Sequence, residues 1–374
     1  MRIADVTTCG MYLEVTEQKL SALGSSLSVK LIPGSLILSI AGSVGKSCIS
    51  KIKCCIHDGF VYFPRFRGDS RFLYYLFTSG ESFRGLGKLG TQLNLNTDTV
   101  GSIVLGIPPL EEQAVLSDFL DEETGKLDLL ITKKRELVER LKEKRSALIS
   151  RTVTRGLPPE AARAAGLPEN PPLKPSGFDW IGEIPLHWGV VTLRYAFHNL
   201  DYRRIPVAAE DRAALKKTYP YYGASGIIDF VDEFIFDETL ILVAEDGANL
   251  LSRSTPLAFL AKGKYWVNNH AHILKPIKGD IRYWAAVLQT YDFSPLVTGA
   301  AQPKLTSDNL GGIRLPNPPP DEQFAIANYL DCETEKIDVL VVQVESAIER
   351  LQEYRAALIN AAVTGKIDVR KAIA

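Results

Sequence analysis

The apolar positions of this chain follow two rhythms. Short runs come first: SLILSI at 35–40, FVYF at 60–63, TLILV at 239–243, YWV at 265–267 and HIL at 272–274. Glycine and proline punctuate them, which predicts short strands in mixed globular units. Elsewhere apolar residues recur every three or four positions, the spacing of a helix. One such stripe runs Leu127, Leu130, Lys134, Leu137, Leu141, Lys144, Leu148, with two lysines on it. The other runs Ile337, Leu340, Val344, Ala347, Leu351, Tyr354, Leu358. About three heptads of this kind predict long helices, and two matching seams in one chain can bury each other. The alternative is that each helix packs on its own local core.

The helical segments are copies of one another. Residues 101–154 and 311–364 align without a gap and are identical at 24 of 54 positions, always 210 residues apart. Each copy opens on a Pro-Pro pair (Pro108 and Pro109, Pro318 and Pro319) followed by acidic residues (Glu111 and Glu112, Asp321 and Glu322). Proline is harmless in a first helical turn, and acidic side chains suit the positive end of the helix dipole. The pattern predicts a first helix to about Glu123 and Glu333, a break at Gly125 in copy one, and then a longer helix. About 30 residues at 1.5 Å each would make a rod of roughly 45 Å. The predicted layout is globular (1–106), helical (107–155), connector (156–180), globular (181–315) and helical (316–374). Proline, glycine and alanine dominate the connector, with one short helix expected near 159–165. The fold class is α+β: two mixed α/β units separated by long repeated helices.

With 374 residues the chain exceeds a single typical core. At 46% hydrophobic and 23% charged it reads as an ordinary soluble protein. No apolar run approaches the roughly 18–20 residues that span a bilayer, and the start lacks a leader pattern, so no membrane role and a cytoplasmic location are expected. Five cysteines without a C-x-x-C pair predict buried free thiols. The net charge of −1 argues against a nucleic-acid binder that works alone, but not against one whose partners supply the positive charge.

Several motifs fail on context. GLGKLG at 85–90 has no preceding strand, as a dinucleotide fold requires; a plain surface loop, or a glycine loop carrying Arg84 and Lys88 near a phosphate backbone, fits better. GSVGKS at 42–47 has Ile40 where a P-loop needs its first glycine. PNPPPDEQ at 316–323 approaches a methyltransferase motif, but Pro320 replaces the aromatic and no methyl-donor loop precedes it, so it reads as helix entry. NNHAH at 268–272 is expected to put His270 and His272 on one strand face, and two ligands without a third make no metal site. No nucleophile–base set stands out, so no catalytic residue is assigned. What remains is basic and polar side chains in the loops of the globular units. They are Arg65, Arg67, Arg84, Lys88, Gln92, Asn94, Arg203, Arg204, Tyr221, Tyr222, Arg253, Gln302 and Lys304. Arginine and lysine suit guanine edges and phosphates, and glutamine and asparagine suit adenine.

Taken together, GTQLNLNTDTVGSIVLGIPPLEEQ and AAQPKLTSDNLGGIRLPNPPPDEQ, each leading into a long helix, with GFDWIGEIPLHWGVVTLR entering the second unit, resemble the specificity subunit of type I restriction-modification systems. The resemblance implies two target recognition domains, each reading half of a split site in double-stranded DNA, and repeat helices paired as an antiparallel coiled coil. The seam would use Leu130, Leu137, Leu141, Leu148, Leu340, Leu351 and Leu358. Surfaces of the repeats, with Glu112, Gln113, Asp121, Glu322, Gln323 and Asp331 as candidates, would dock two methyltransferase subunits, and restriction subunits would join them. S-adenosylmethionine, ATP and magnesium would bind on those partners, leaving this chain with no cofactor, no metal and no catalysis. A rod of about 45 Å would cover roughly 13 base pairs. One departure stands out. The tract IPLHWGVVTLRYAF, ahead of the second unit's body, has no counterpart in the first, so the first recognition domain reads as short at its N-terminus. The alternatives are a coiled-coil adaptor without full readout and a self-sufficient methyltransferase or nuclease.

Overall fold

The computed structural model describes residues 1–84, 86, 95–213, 215–299 and 302–371. The chain divides into two compact units, and neither is contiguous. One comprises Met1–Val138 with Gln343–Ala374, the other Glu139–Val342. Each therefore holds one globular body and a stretch of both long helices.

In the first unit, β1 (Tyr12–Leu13), β2 (Leu36–Ser39), β3 (Ser47–Ser50) and β4 (Phe60–Tyr62) form a sheet in the order β1-β3-β2-β4. Strand β2 is buried at every position, as expected for a central strand covered on both faces. Alternation divides its side chains: Leu36 and Leu38 face the cluster built on α1 (Ser70–Thr78), while Ile37 joins Leu13, Cys48 and Phe60 on the other side. The six residues Phe72 to Phe77 of α1 are all buried. Leu116 and Leu120 of the first long helix, α2 (Leu110–Arg155), and Ile359 and Ala362 near the chain's end complete that core.

The second unit repeats this plan with additions. Its main sheet contains β5 (Phe197–Asn199), β6 (Leu240–Ala244), β7 (Ala258–Ala261) and β8 (Ala271–Pro276) in the order β5-β8-β6-β7. It packs on α3 (Ile281–Thr290), whose Tyr283, Val287 and Leu288 are fully buried. Residues 219–223, 226–231, 236–237 and 264–267 form a second four-stranded sheet. Gly189–Thr192 pairs antiparallel with Arg314–Asn317, just ahead of the other long helix, α4 (Pro320–Val363). The connector carries the expected short helix, Pro159–Ala164, and also a strand, Leu173–Pro175, paired with Glu183–Pro185.

The long helices differ from expectation in two ways. First, α2 and α4 run unbroken for 46 and 44 residues, and Gly125 sits inside α2. An interior glycine costs a helix about 0.5–1 kcal/mol relative to alanine, too little to end one flanked by good helix formers. Second, the seam is rotated. Leu130, Leu137 and Leu340 are 42%, 43% and 47% exposed, whereas Ile131, Val138 and Ile337 are buried. Leu141, Leu148, Leu351 and Leu358 are partly buried. The stripe runs through 127, 131, 134, 138, 141, 145 and 148, so its alternate positions lie one residue further along than the leucines suggested. This register has a polar reason: it puts Arg145 and Arg355 on the seam. In the second unit Arg145 Nε donates to Asp338 at 2.8 Å, and in the first Arg355 Nε donates to Asp128 at 2.9 Å. These are one ion pair at a 210-residue offset, with the two helices exchanging roles. In each unit a stretch of α2 lies antiparallel to a stretch of α4: Ile149 and Val153 cluster with Leu330 and Ile326, and Leu116 and Leu120 with Val363 and Ile359.

The cysteines are all free but not uniformly buried: Cys48 is buried, Cys332 is exposed and the other three lie between. Among the described residues no helix is long and apolar enough to cross a membrane.

Candidate nucleic-acid interface

Each globular body is fastened to its long helix by the same clasp. Asp69 caps α1 by accepting from Arg71 N, and Asp280 caps α3 by accepting from Arg282 N, both at 2.8 Å. Gln113, buried in the first turn of α2, accepts from Asp69 N at 2.9 Å and donates to Pro108 O at 2.7 Å. Gln323, equally buried, accepts from Asp280 N at 3.1 Å and donates to Pro318 O at 3.0 Å. Arg71 then bridges Asp69, Asp118 and Asp121, and Arg282 bridges Asp280 and Asp331. Tyr75 adds a hydrogen bond to Asp121 at 2.7 Å. The approach is close enough that a Cβ on Gly279, whose φ is +87°, would lie 2.0 Å from Gln323 Oε1. The signal for this clasp stands in the sequence as Gly-Asp-x-Arg at 68–71 and 279–282. It is offset by 211 rather than 210 residues, so a gapless comparison passes over it.

Four of the candidate docking residues, Gln113, Asp121, Gln323 and Asp331, thus bind their own globular body. Glu322 is buried and accepts from Trp188 Nε1 at 2.9 Å, with His187 Nε2 2.8 Å away. Only Glu112, its counterpart in the first unit, is exposed without such a tie.

The loop candidates are scattered, and several have structural tasks. In the second unit, Arg204 and Lys304 converge on Glu245, Lys304 Nζ at 3.1 Å. Arg203 lies over the Phe236 ring and near Glu238. The Tyr221 hydroxyl is buried and accepts from Val207 N, with Arg212 over the ring. Tyr222 stacks on Phe259. Arg253, in a left-handed conformation at φ 50°, donates to Gln289 O at 3.1 Å. Gln302 is exposed. In the first unit Arg65 and Arg67 are exposed, and Arg84 pairs with Glu81 at 3.0 Å. Lys88, Gln92 and Asn94, with nearly all of the GLGKLG loop, lie outside the described residues. GSVGKS leads into a strand, not a helix, which fits its rejection as a P-loop.

The two histidines do not share a face. His270 precedes β8 and pairs with Asp246 at 2.7 Å, whereas His272 is buried. Asp201, Glu245 and His272 lie close enough together to suggest a metal site. The bonds argue otherwise. His272 offers Nδ1 to Asp201 at 2.6 Å and Nε2 to Leu305 O at 2.8 Å, so neither nitrogen has a free lone pair aimed at an ion. Burial pushes the Asp201 and Glu245 carboxyls up, but His272 and Arg204 outweigh it and hold both below their usual range. The group is an ion network that ties the loop at 201–204 to the end of β8.

Residues 12–140 and 187–350 match the type I restriction modification DNA specificity domain. Over 116 residues, 31% of the chain, it is 35% identical to a type I restriction enzyme specificity subunit of Haemophilus influenzae, covering 30% of that protein. Over 195 residues, half the chain, it is 24% identical to the EcoDI specificity subunit of Escherichia coli, covering 40% of it. The chain thus matches less than half the length of either relative. A solved structure concerned with complex assembly and conformational transition of the type I R-M system shares the fold over 89% of this chain and 82% of that one, with TM-score 0.61 at 15% identity. A duplicated helical frame carrying two clasped α/β bodies, both matched by one domain family, places the chain in the type I restriction-modification DNA specificity family.

Proposed function

We propose that this chain is the non-catalytic DNA-reading subunit of a type I restriction-modification complex, with each α/β body reading one half of a split site. The observation that carries this is the contrast within the repeat. The Asp-Arg-Gln core of each clasp and the seam ion pairs recur, whereas the loop between the two central hairpin strands spans 40–46 in one body and 245–257 in the other. A constant frame with variable loops suits two readers of different sequences held by one mount. Methyltransferase and restriction subunits would dock on the frame and carry S-adenosylmethionine, ATP and magnesium. With Gln113, Gln323 and Glu322 turned inward, docking would use the exposed flanks of the same segments, including Glu111, Glu112, Asp321 and Phe324. Co-expression with a cognate methyltransferase subunit is expected to yield a stable complex that methylates one bipartite sequence. A complex that protects DNA without sequence preference would favour the adaptor reading, and S-adenosylmethionine bound by the isolated chain would favour a self-sufficient methyltransferase.

A further inference from the structure

One end of the second body is clasped, and three segments meet at the other. Strand β8 connects the two ends: Pro276 leads through Gly279 to Asp280 in the clasp, and Ala271 begins where the segments meet. There Glu245 N donates to His270 O at 3.0 Å, and Glu245 O accepts from Leu305 N at 2.7 Å. Gly247 N donates to Pro303 O at 3.1 Å. Residues 245–247 therefore run between 268–270 and 302–305. At a strand spacing of about 4.8 Å the outer two lie roughly 10 Å apart, about three base-pair steps of roughly 3.4 Å.

This ledge is braced from beneath. Arg204 donates to Ala271 O at 3.0 Å and pairs with the buried Glu245, which also holds Lys304. Buried Asn268 accepts from His270 N at 2.8 Å, and the His270 ring sits on Asp246. Two side chains stand clear of the bracing. The amides of Asn269 and Gln302 are exposed and hydrogen-bond to nothing among the described residues. Charge decides what they suit. Arg204 and Lys304 face Asp201, Glu245 and Asp246, so the ledge has no surplus of positive charge for phosphates. Uncharged amides on a fixed mount suit base edges, because each offers a donor and an acceptor at once. By strand register the first body has His57 and Asp58 where the second has Asn269 and His270. The ledge thus differs where readers of two sequences must differ.

We propose that this ledge is the base-reading edge of the second body, with Asn269 and Gln302 as residues that set its sequence. The inference rests on the DNA-reading function proposed above and adds which side chains read. Arg204 is a positioning residue, acting through Glu245 and the backbone of the ledge.

The test uses the full chain assembled with its cognate methyltransferase subunits. Duplexes bound from a randomised library are sequenced for the wild type, Asn269→Ala and Gln302→Ala. Each variant is expected to lose its preference about five- to hundredfold at one or two adjacent base pairs of a single segment, with the other segment unchanged. Both side chains are exposed and untied, so folding should be unaffected, which a melting curve checks. A wild-type preference that both variants keep would overturn the inference alone. So would uniform weakening across all sequences with a shallower salt dependence, which marks a phosphate contact. A wild type that prefers no split sequence would refute the function proposed above and this inference with it.

Discussion

Gln323→Ala tests the clasp. The side chain is 2% exposed and holds two backbone groups, the Asp280 N–H and the Pro318 carbonyl. Alanine leaves both without a partner in a dry site. Each orphaned group costs about 1–3 kcal/mol, so the expected loss for the two is about 2–6 kcal/mol. All four tryptophans (Trp180, Trp188, Trp266, Trp284) belong to the second unit, so urea unfolding followed by tryptophan fluorescence reads that unit alone. The transition should move to lower urea, and exchange of the Asp280 amide should accelerate. Gln113→Ala should speed exchange at Asp69 in the same way. Gly279→Ala should be strongly destabilising alone and less so with Gln323→Ala, because the second change removes the atom it strikes. If Gln323→Ala shifts stability by less than about 0.5 kcal/mol, a surface-sized effect, or leaves the Asp280 amide unchanged, the clasp does not hold the body.

Three further outcomes follow from the frame and the ion network. Gly125→Ala should stabilise the chain by about 0.5–1 kcal/mol in thermal unfolding, since an added Cβ meets nothing within 4 Å. Leu130→Lys and Leu137→Lys should be nearly neutral, whereas Ile131→Ala should cost about 2 kcal/mol or more in chemical denaturation; the reverse order would restore the leucine seam. Asp201 and Glu245 have depressed folded-state pKa values, so their stabilisation is present above the unfolded carboxylate range and lost as pH falls through the folded values. Amide exchange at 201–204 and 271–273 should therefore quicken on acidification below about pH 4, the ordinary range of an unfolded carboxylate, and Asp201→Asn should remove much of that dependence.

The sequence was most legible where one residue type has one use. The Pro-Pro entries and acidic first turns lead into the two long helices, and the apolar runs at 35–40 and 239–243 became the strands Leu36–Ser39 and Leu240–Ala244. It was least legible where geometry chooses between neighbours. Leu130 and Ile131 differ by one helical step, and only the Arg145–Asp338 and Arg355–Asp128 pairs decide which faces inward. The polar residues shared by the copies read as a surface handle because sharing is visible and burial is not; Gln113 and Gln323 proved to be internal ties. Residues such as Arg204 and Tyr221 looked like DNA contacts from type alone, yet the fold assigns Arg204 to Glu245 and Tyr221 to Val207. Which loop residues reach bases depends on loop shape, for which spacing carries no code.

The central claim is that two bodies on one frame read two half-sites. Its most direct test is footprinting of the chain assembled with its methyltransferase subunits on a library of duplexes. The account predicts protection of one split sequence, two short specified segments flanking an unspecified gap, with substitutions in the loops of one body altering only one segment. Protection without sequence preference, or of a single uninterrupted motif, would contradict it.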